Sequence, residues 1–224
     1  MNLAARVAGR SIAGLAVFGA LVFGPAGTFD YWRGWVFIAV FTAATLIPTG
    51  YLAVRKPEAL RRRLRAGPAA ETRPLQKAVI AIAFLSMAGM IALSALDFRF
   101  GWSHVPAPIS IGGDALVAAG LLIAMSVVAQ NSYAASTVTV EAGQQLSSTG
   151  WYALVRHPMY LGDIVMMLGA PPALGSYWGL LFLLPGIAML VLRIRDEEAL
   201  LTAELPGYRD YTRQVRYRLV PWLW

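Results

Sequence analysis

Arg156, His157 and Pro158 stand together in the stretch GWYALVRHPMYLG, with Tyr152 shortly before them and Tyr160 and Gly162 shortly after. Two basic side chains directly precede a proline and an apolar run. Pro158 suits the first turn of a helix, where its missing N–H costs nothing. The amides of that turn carry partial positive charge, and Arg156 and His157 add to it. Such a cluster is receptive to an anion, and a carboxylate fits it. Gly162 removes a side chain one turn into the helix, which lets a ligand or another helix approach closely. The plainer reading of the same residues is a helix start with a snorkelling arginine.

A second charged cluster is RIRDEE at 193–198. On a helix Arg193 and Glu197 are four apart and share a face, and Arg195 and Glu198 are three apart. The plainer reading is a solvated helix end with intrahelical ion pairs. The basic residue precedes the acidic one, however, which is the weaker order for such pairs. Two adjacent carboxylates aimed back at the Arg156 cluster would instead bind a cationic ligand group or hold Arg156 in place. The third element is the tail PGYRDYTRQVRYRLVPWLW. Its Tyr208, Tyr211, Val215 and Leu219 recur at helical spacing with arginines between them. The pattern predicts a basic amphipathic helix, lying on a membrane or packed over the site as a lid.

The elements that must position these residues are membrane helices. The 224 residues are 58% hydrophobic and only 14% charged, against about 25% charged in soluble domains. Mean hydropathy is +0.57. A span needs roughly 20 apolar residues. Four segments qualify, at about 11–27, 32–54, 78–97 and 110–130. The apolar region 159–194 is too long for one helix, and Pro171, Pro172 and Gly175 divide it into about 158–173 and 176–194. The first piece is marginal for spanning, which leaves a re-entrant or tightly turned hairpin open. Arg6 and Arg10 precede the first apolar run, and no small-residue cleavage site ends it, so it reads as a retained helix. The expected fold is all-α: a polytopic transmembrane bundle of about six segments including a C-terminal helical hairpin. It forms a single domain over 1–224, with four membrane helices in 1–130 and the functional core in 131–224.

Charge sets the expected orientation. Of 19 Lys and Arg, 17 fall at the N-terminus, in 55–77, at Arg156 and from Arg193 onward, and only Arg33 and Arg99 fall in the opposite loops. The positive-inside rule then places both termini and the RHP stretch in the cytosol. The net charge of +7 is a membrane feature and not a nucleic-acid one. The arginines of 55–77 are expected to lie along anionic headgroups. Tyr31, Trp32, Trp35, Trp151, Tyr152, Trp222 and Trp224 mark water–lipid boundaries. Asp114 and Asp163 fall within apolar segments, where structural roles are expected of both. With no cysteine and two histidines, neither a metal site nor a disulfide is expected. No glycine-rich nucleotide fingerprint follows a strand.

The order GWYALVRHPMYLG, apolar hairpin, RIRDEEALL, GYRDYTRQVRYRLVP resembles the core of the isoprenylcysteine carboxyl methyltransferase family over roughly residues 130–224. Bacterial relatives and, more loosely, phospholipid N-methyltransferases share it. The resemblance implies an integral membrane enzyme that binds S-adenosylmethionine at the cytosolic face of a bacterial inner membrane. It also implies a lipophilic or lipidated substrate entering from the bilayer. By that resemblance the cofactor contacts are Gln144, Leu146, Tyr152, Leu154, Val155, His157, Tyr160, Gly162, Glu197 and Glu198. Arg156, Glu197 and Glu198 are the catalytic set, with Arg156 orienting a substrate carboxylate. The expected reaction is carboxyl O-methylation of an isoprenoid- or prenylcysteine-like acceptor.

The residue chemistry agrees. The cationic pocket suits the cofactor's carboxylate, and the glutamates suit its ammonium or sulfonium. A carboxylate acceptor is already ionised at neutral pH and needs no base. It needs alignment and desolvation. An amine acceptor would have to lose a proton, to Glu197 or Glu198. The alternatives are lipid amine N-methylation and NADPH-dependent reduction of a sterol-type double bond, since the GWY and LGD flanks also resemble sterol reductases of related fold. A scaffold or transporter has no need of both charged clusters.

Overall fold

The computed structural model describes residues 3–65, 71, 73–134, 139, 140 and 143–224. No strand occurs among them. The long helices are α1 (Leu3–Ala26), α2 (Trp32–Arg55), α4 (Pro74–Phe100), α5 (Ala107–Gln130) and α8 (Leu183–Glu204). Shorter ones are α3 (Pro57–Arg65), α6 (Trp151–Leu154), α7 (Pro158–Ala173) and α9 (Tyr208–Gln214), with a 3-10 turn at Trp178–Phe182.

Five stretches are long and apolar enough to cross a membrane: Val7–Ala26, Trp32–Arg55, Pro74–Phe100, Ala107–Gln130 and Trp178–Glu204. Ile12, Val17, Ile47, Val54, Phe84 and Leu85 are strongly exposed on these helices. In a bilayer such side chains are the lipid-facing surface. The sixth expected segment, α7, has 16 residues, about 24 Å of helix, and falls short of the roughly 30 Å hydrocarbon core. It still runs from one end of the bundle to the other. Its start pairs with the C-terminal tail, whereas at its far end the Leu174 carbonyl accepts a hydrogen bond from Tyr31 Oη at 2.5 Å.

The division of the long apolar region falls where the prolines and Gly175 place it. The Pro171 and Pro172 carbonyls accept from the Ser176 and Gly175 amides, and Gly175 takes φ +76. This left-handed C-terminal turn is one that glycine adopts without strain. After it, the chain makes the 3-10 turn before α8 begins. The last long helix therefore starts later than 176 and continues ten residues beyond 194, to Glu204. RIRDEE is thus an integral part of α8.

The closest helix pair is α5 with α7, antiparallel. Gly113 and Gly120 on α5 face Gly169 and Gly162 on α7. A β-carbon on Gly162 would lie 2.6 Å from the Gly120 carbonyl oxygen, and one on Gly169 would lie 2.5 Å from that of Gly113. Each pair of glycines is seven residues apart, two helical turns, so both fall on one face. In lipid there is no hydrophobic drive between helices, and small residues that let backbones meet supply the packing instead. Around this pair a core forms from Val22, Phe37, Met90, Ile91, Val117, Met167 and Leu174.

The two ends of the bundle differ in charge. At one, Arg33 donates to Ser110 Oγ (2.9 Å) and to the Val105 carbonyl (2.7 Å). There too, buried Asp97 accepts from Ser103 Oγ at 2.6 Å and from Ser176 Oγ at 2.5 Å. Asp114 is also buried, with neither carboxylate oxygen partnered among the described residues. The other end gathers Arg156, Arg193, Arg61, Arg62 and Arg63 of α3, and the tail, and is the basic end.

Candidate functional site

α8 brings its charged turn to the basic end, beside the start of α7. The two adjacent glutamates face different partners. Glu198 accepts from Arg156 Nε and Arg218 Nε, both at 2.7 Å, and its Oε1 lies 3.3 Å from His157 Nε2. Glu197 accepts from Tyr160 Oη at 2.7 Å and lines an open-mouthed pocket. Glu198 does not line it. The carboxylates do point back at the RHP cluster, but one anchors it and the other faces the cavity.

Arg156 is held on several sides. Besides Glu198, its Nη1 donates to the Val215 and Arg216 carbonyls at 3.1 and 3.3 Å. The backbone joins in: the Arg156 amide donates to Tyr217 O (3.0 Å) and the His157 amide to Arg218 O (2.8 Å). The tail is therefore an extended strap across the RHP segment. This pairing stops α9 at Gln214, short of the helix that the Tyr208–Leu219 spacing predicts, since residues 215–218 supply carbonyls to Arg156 and His157. The amides just ahead of α7 are thus taken by the strap. Of the expected tail positions, Tyr208 and Tyr211 are helical and buried, and they cover the pocket.

A polar chain reaches Glu197 from behind. Tyr160 Oη, which donates to Glu197, accepts from Arg193 Nε at 2.9 Å. Arg193 also donates to Gln76 Oε1 (2.8 Å) and Glu71 Oε1 (3.3 Å). Gln76 bonds Asp196, which pairs with Arg73 at 2.7 Å. Buried charges persist when paired and hydrogen-bonded in this way. The described part of 55–77 is therefore built into the site, beyond the headgroup role that its composition suggests. Arg62 packs over the Tyr133 ring at 4.2 Å, at the pocket's rim.

The pocket is a cavity of about 80 Å³, smaller than a typical small-molecule site. Of the residues that the family resemblance marks, Gln144, Leu146, Tyr152, Arg156, His157, Tyr160 and Glu197 line it. Leu154 is exposed, Val155 is buried outside the lining, and Gly162 packs against α5. Asn131, Tyr133, Leu200, Leu201, Leu205, Tyr208 and Tyr211 line it without having been singled out for the cofactor. Leu201 is one turn beyond Glu197, so the helix period could have found it. Asn131 has no such signal.

Three phenols keep their protons here. Burial pushes Tyr152 up to about 12, and raises Tyr208 and Tyr211 further above the ordinary range. Tyr211 Oη donates to the Tyr152 carbonyl at 2.7 Å, and Tyr152 Oη accepts from Asn131 Nδ2 at 3.2 Å. Tyr208 Oη is buried and has no partner among the described residues. Such a group costs about 1–3 kcal/mol unless a ligand satisfies it.

Every pocket residue from Asn131 to Leu205 lies in a stretch that known proteins share. Residues 109–207 match the phospholipid methyltransferase family. The matched stretch takes in α5, the glycine-packed α7, and α8 with its glutamate pair, and it ends just before Tyr208. A Delta(14)-sterol reductase of Mus musculus is 35% identical over 91 residues. That alignment covers 39% of this chain and 22% of the mouse protein, so the chain aligns to about a fifth of its relative.

Proposed function

We propose that this chain is an integral membrane methyltransferase that uses S-adenosylmethionine and methylates a lipophilic acceptor, with its basic end in the cytosol of a bacterial cell. The observation that carries this is Glu197, a carboxylate facing a pocket at the basic end, inside the region matching the phospholipid methyltransferase family.

The pocket's donor set fits the cofactor. Glu197 would meet the cationic ammonium or sulfonium. Leu200, Leu201 and Leu205 offer an apolar wall for the adenine ring, and Tyr208 Oη has a hydrogen bond to give. When bound, the cofactor supplies an electrophilic methyl group. The chain's part is to orient and desolvate. Tyr160 fixes the Glu197 carboxylate, with Arg193 behind it. Glu198 and the strap fix Arg156 and His157.

The same arrangement favours a carboxylate acceptor. Glu198 already accepts from two arginines, and Glu197 is occupied by Tyr160 and by the cofactor's positive charge. Neither is free to take a proton from an amine, whereas a carboxylate has none to lose at neutral pH. An isoprenoid- or prenylcysteine-like acid is the acceptor class we assign. Incubating the protein and a bacterial lipid extract with methyl-tritiated S-adenosylmethionine tests this. Label in the organic phase that mild base releases as methanol is expected. Base-stable label on a lipid amine would mean N-methylation.

The mouse similarity supports a second reading, NADPH-dependent reduction of a sterol-type double bond. NADPH oxidation on adding a sterol diene, without methyl transfer, would establish it.

A further inference from the structure

A second cavity lies between α1 and α2, away from the pocket just described. It encloses about 430 Å³ and opens at the side of the bundle. Phe18 stacks against Phe37 at 5.4 Å and contacts Phe41 at 4.6 Å, which joins the two helices. Toward the basic end they leave a groove, and α3 closes it with Leu60 and Leu64. Among the described residues, none lines both this groove and the pocket that Glu197 lines. Its occupant is therefore not placed to react at that pocket.

Leu15, Phe18, Phe41 and Leu46 give the groove its apolar lining. Thr42, Thr45 and Thr49 line it too, three and four residues apart on one face of α2. Thr49 Oγ1 donates to the Thr45 carbonyl at 2.7 Å. The Thr42 and Thr45 hydroxyl oxygens are buried and have no partner among the described residues. An unpartnered hydroxyl is costly in hydrocarbon, and lipid tails offer it nothing. These two hydroxyls require acceptors inside the groove.

Two guanidinium groups line the basic end of the groove, Arg10 and Arg63. Arg10 donates to the Leu64 carbonyl and so ties α3 over the opening. Arg63 is half-buried and makes no hydrogen bond among the described residues. Burial disfavours its charge, and Asp163 on α7, which offsets this, does not line the groove. The two preceding arginines are engaged elsewhere: Arg61 pairs with Glu58 at 2.6 Å, and Arg62 packs over the Tyr133 ring. Counted from the Phe18–Phe41 contact, Arg10 lies about 12 Å along α1 and Thr45 about 6 Å along α2. The groove therefore presents cationic groups at its mouth and hydroxyl donors about one helical turn deeper.

From this juxtaposition we propose that the groove binds one anionic glycerophospholipid of the surrounding bilayer, which fastens α1 to α2 and α3. Its phosphate would meet Arg63 and Arg10. Its ester carbonyls, a few bonds below the phosphate, would accept from Thr45 and Thr42. One acyl chain would run past Leu15 toward Phe18 and Phe41. A guanidinium matches phosphate oxygens with two parallel hydrogen bonds. A free fatty acid lacks the deeper acceptors, and a zwitterionic lipid brings a cation toward the two arginines. The lipid is a resident of the fold and not a substrate, so the site does not depend on methyl transfer.

Native mass spectrometry of the purified chain in detergent, titrated with dioleoylphosphatidylglycerol, tests the site. One lipid per chain is expected to bind saturably, about tenfold more tightly than dioleoylphosphatidylcholine or oleate. Arg63→Gln should lower the phosphatidylglycerol affinity about tenfold, and Thr45→Val about threefold. Arg61→Gln should leave it unchanged, because that side chain pairs with Glu58 and does not line the groove. Gly14→Phe keeps every polar group in place. A β-carbon on Gly14 meets nothing within 4 Å, and the ring would fill the groove and abolish binding. Gly9→Phe, equally open but outside the lining, should bind like wild type. Phosphatidylglycerol should raise the thermal midpoint of wild type and not that of Gly14→Phe. Phosphatidylcholine or oleate binding as tightly as phosphatidylglycerol, or lipids adding without saturation, would overturn the proposal. So would equal losses in Arg61→Gln and Arg63→Gln, which would mean only a general attraction to headgroups, or wild-type binding by Gly14→Phe. Glycerol 3-phosphate binding as tightly as the lipid would make this a site for a soluble anion and remove the lipid as its occupant.

Discussion

Glu197 and Glu198 are neighbours in sequence with separate tasks, and substitution should separate them. Glu198 accepts from two arginines and has a side chain only 12% exposed. Glu198→Gln leaves Arg156 largely buried with its charge uncompensated, a loss expected to cost about 3–5 kcal/mol. A marked fall in the thermal midpoint in detergent would show it. Glu197→Gln keeps an acceptor for Tyr160 and should leave the midpoint nearly unchanged. Tyr208→Phe removes an unpartnered hydroxyl, so stability should hold or rise, while cofactor affinity measured by calorimetry should fall about tenfold. The sequence shows the residue types at this scale but not which glutamate faces the cavity. A hundred-degree step around α8 points the two side chains apart, and only the strap's position decides which one meets Arg218. The role of Arg193, by contrast, depends on Glu71 and Gln76, more than a hundred residues away in the chain.

At the scale of elements, the site stands on the α5–α7 contact. Gly120→Leu would drive a side chain into the α7 backbone at Gly162 and Met166. Overpacking of this kind costs about 1–3 kcal/mol, and here it would also shift Pro158 and the RHP segment. Gly112→Ala in the same helix meets nothing within 4 Å. It should stabilise by about 0.5–1 kcal/mol through helix propensity. Thermal unfolding of the two variants side by side checks both signs. Helix positions were legible because apolar runs, prolines and Gly175 mark them. The α7 bounds agree with the sequence reading for that reason. Pairing was not legible, because Gly113, Gly120, Gly162 and Gly169 become a set only once two distant helices are laid antiparallel. The tail's period of three and four also misled. Val215 to Leu219 follow the helical spacing, yet backbone pairing with Arg156 and His157 holds that segment extended.

For the whole molecule, the charge asymmetry seen in the sequence corresponds to two distinct ends of the bundle. The side of the membrane each end faces is open to direct measurement, because the chain has no cysteine to interfere. Single cysteines at Phe29 and at Arg209, exposed positions at opposite ends, should react from opposite sides. In sealed cells a membrane-impermeant maleimide is expected to label Phe29→Cys and not Arg209→Cys, and inverted vesicles should reverse the pattern. Composition made the membrane class legible at once.

Calorimetric titration of the purified protein with S-adenosylhomocysteine and with NADPH decides between methyl transfer and reduction. S-adenosylhomocysteine is expected to bind once per chain, and Glu197→Gln to weaken it about tenfold to a hundredfold, with the thermal midpoint preserved. NADPH should not bind. Binding of NADPH without the adenosyl ligand, or an adenosyl affinity that Glu197→Gln leaves unchanged, would contradict these expectations.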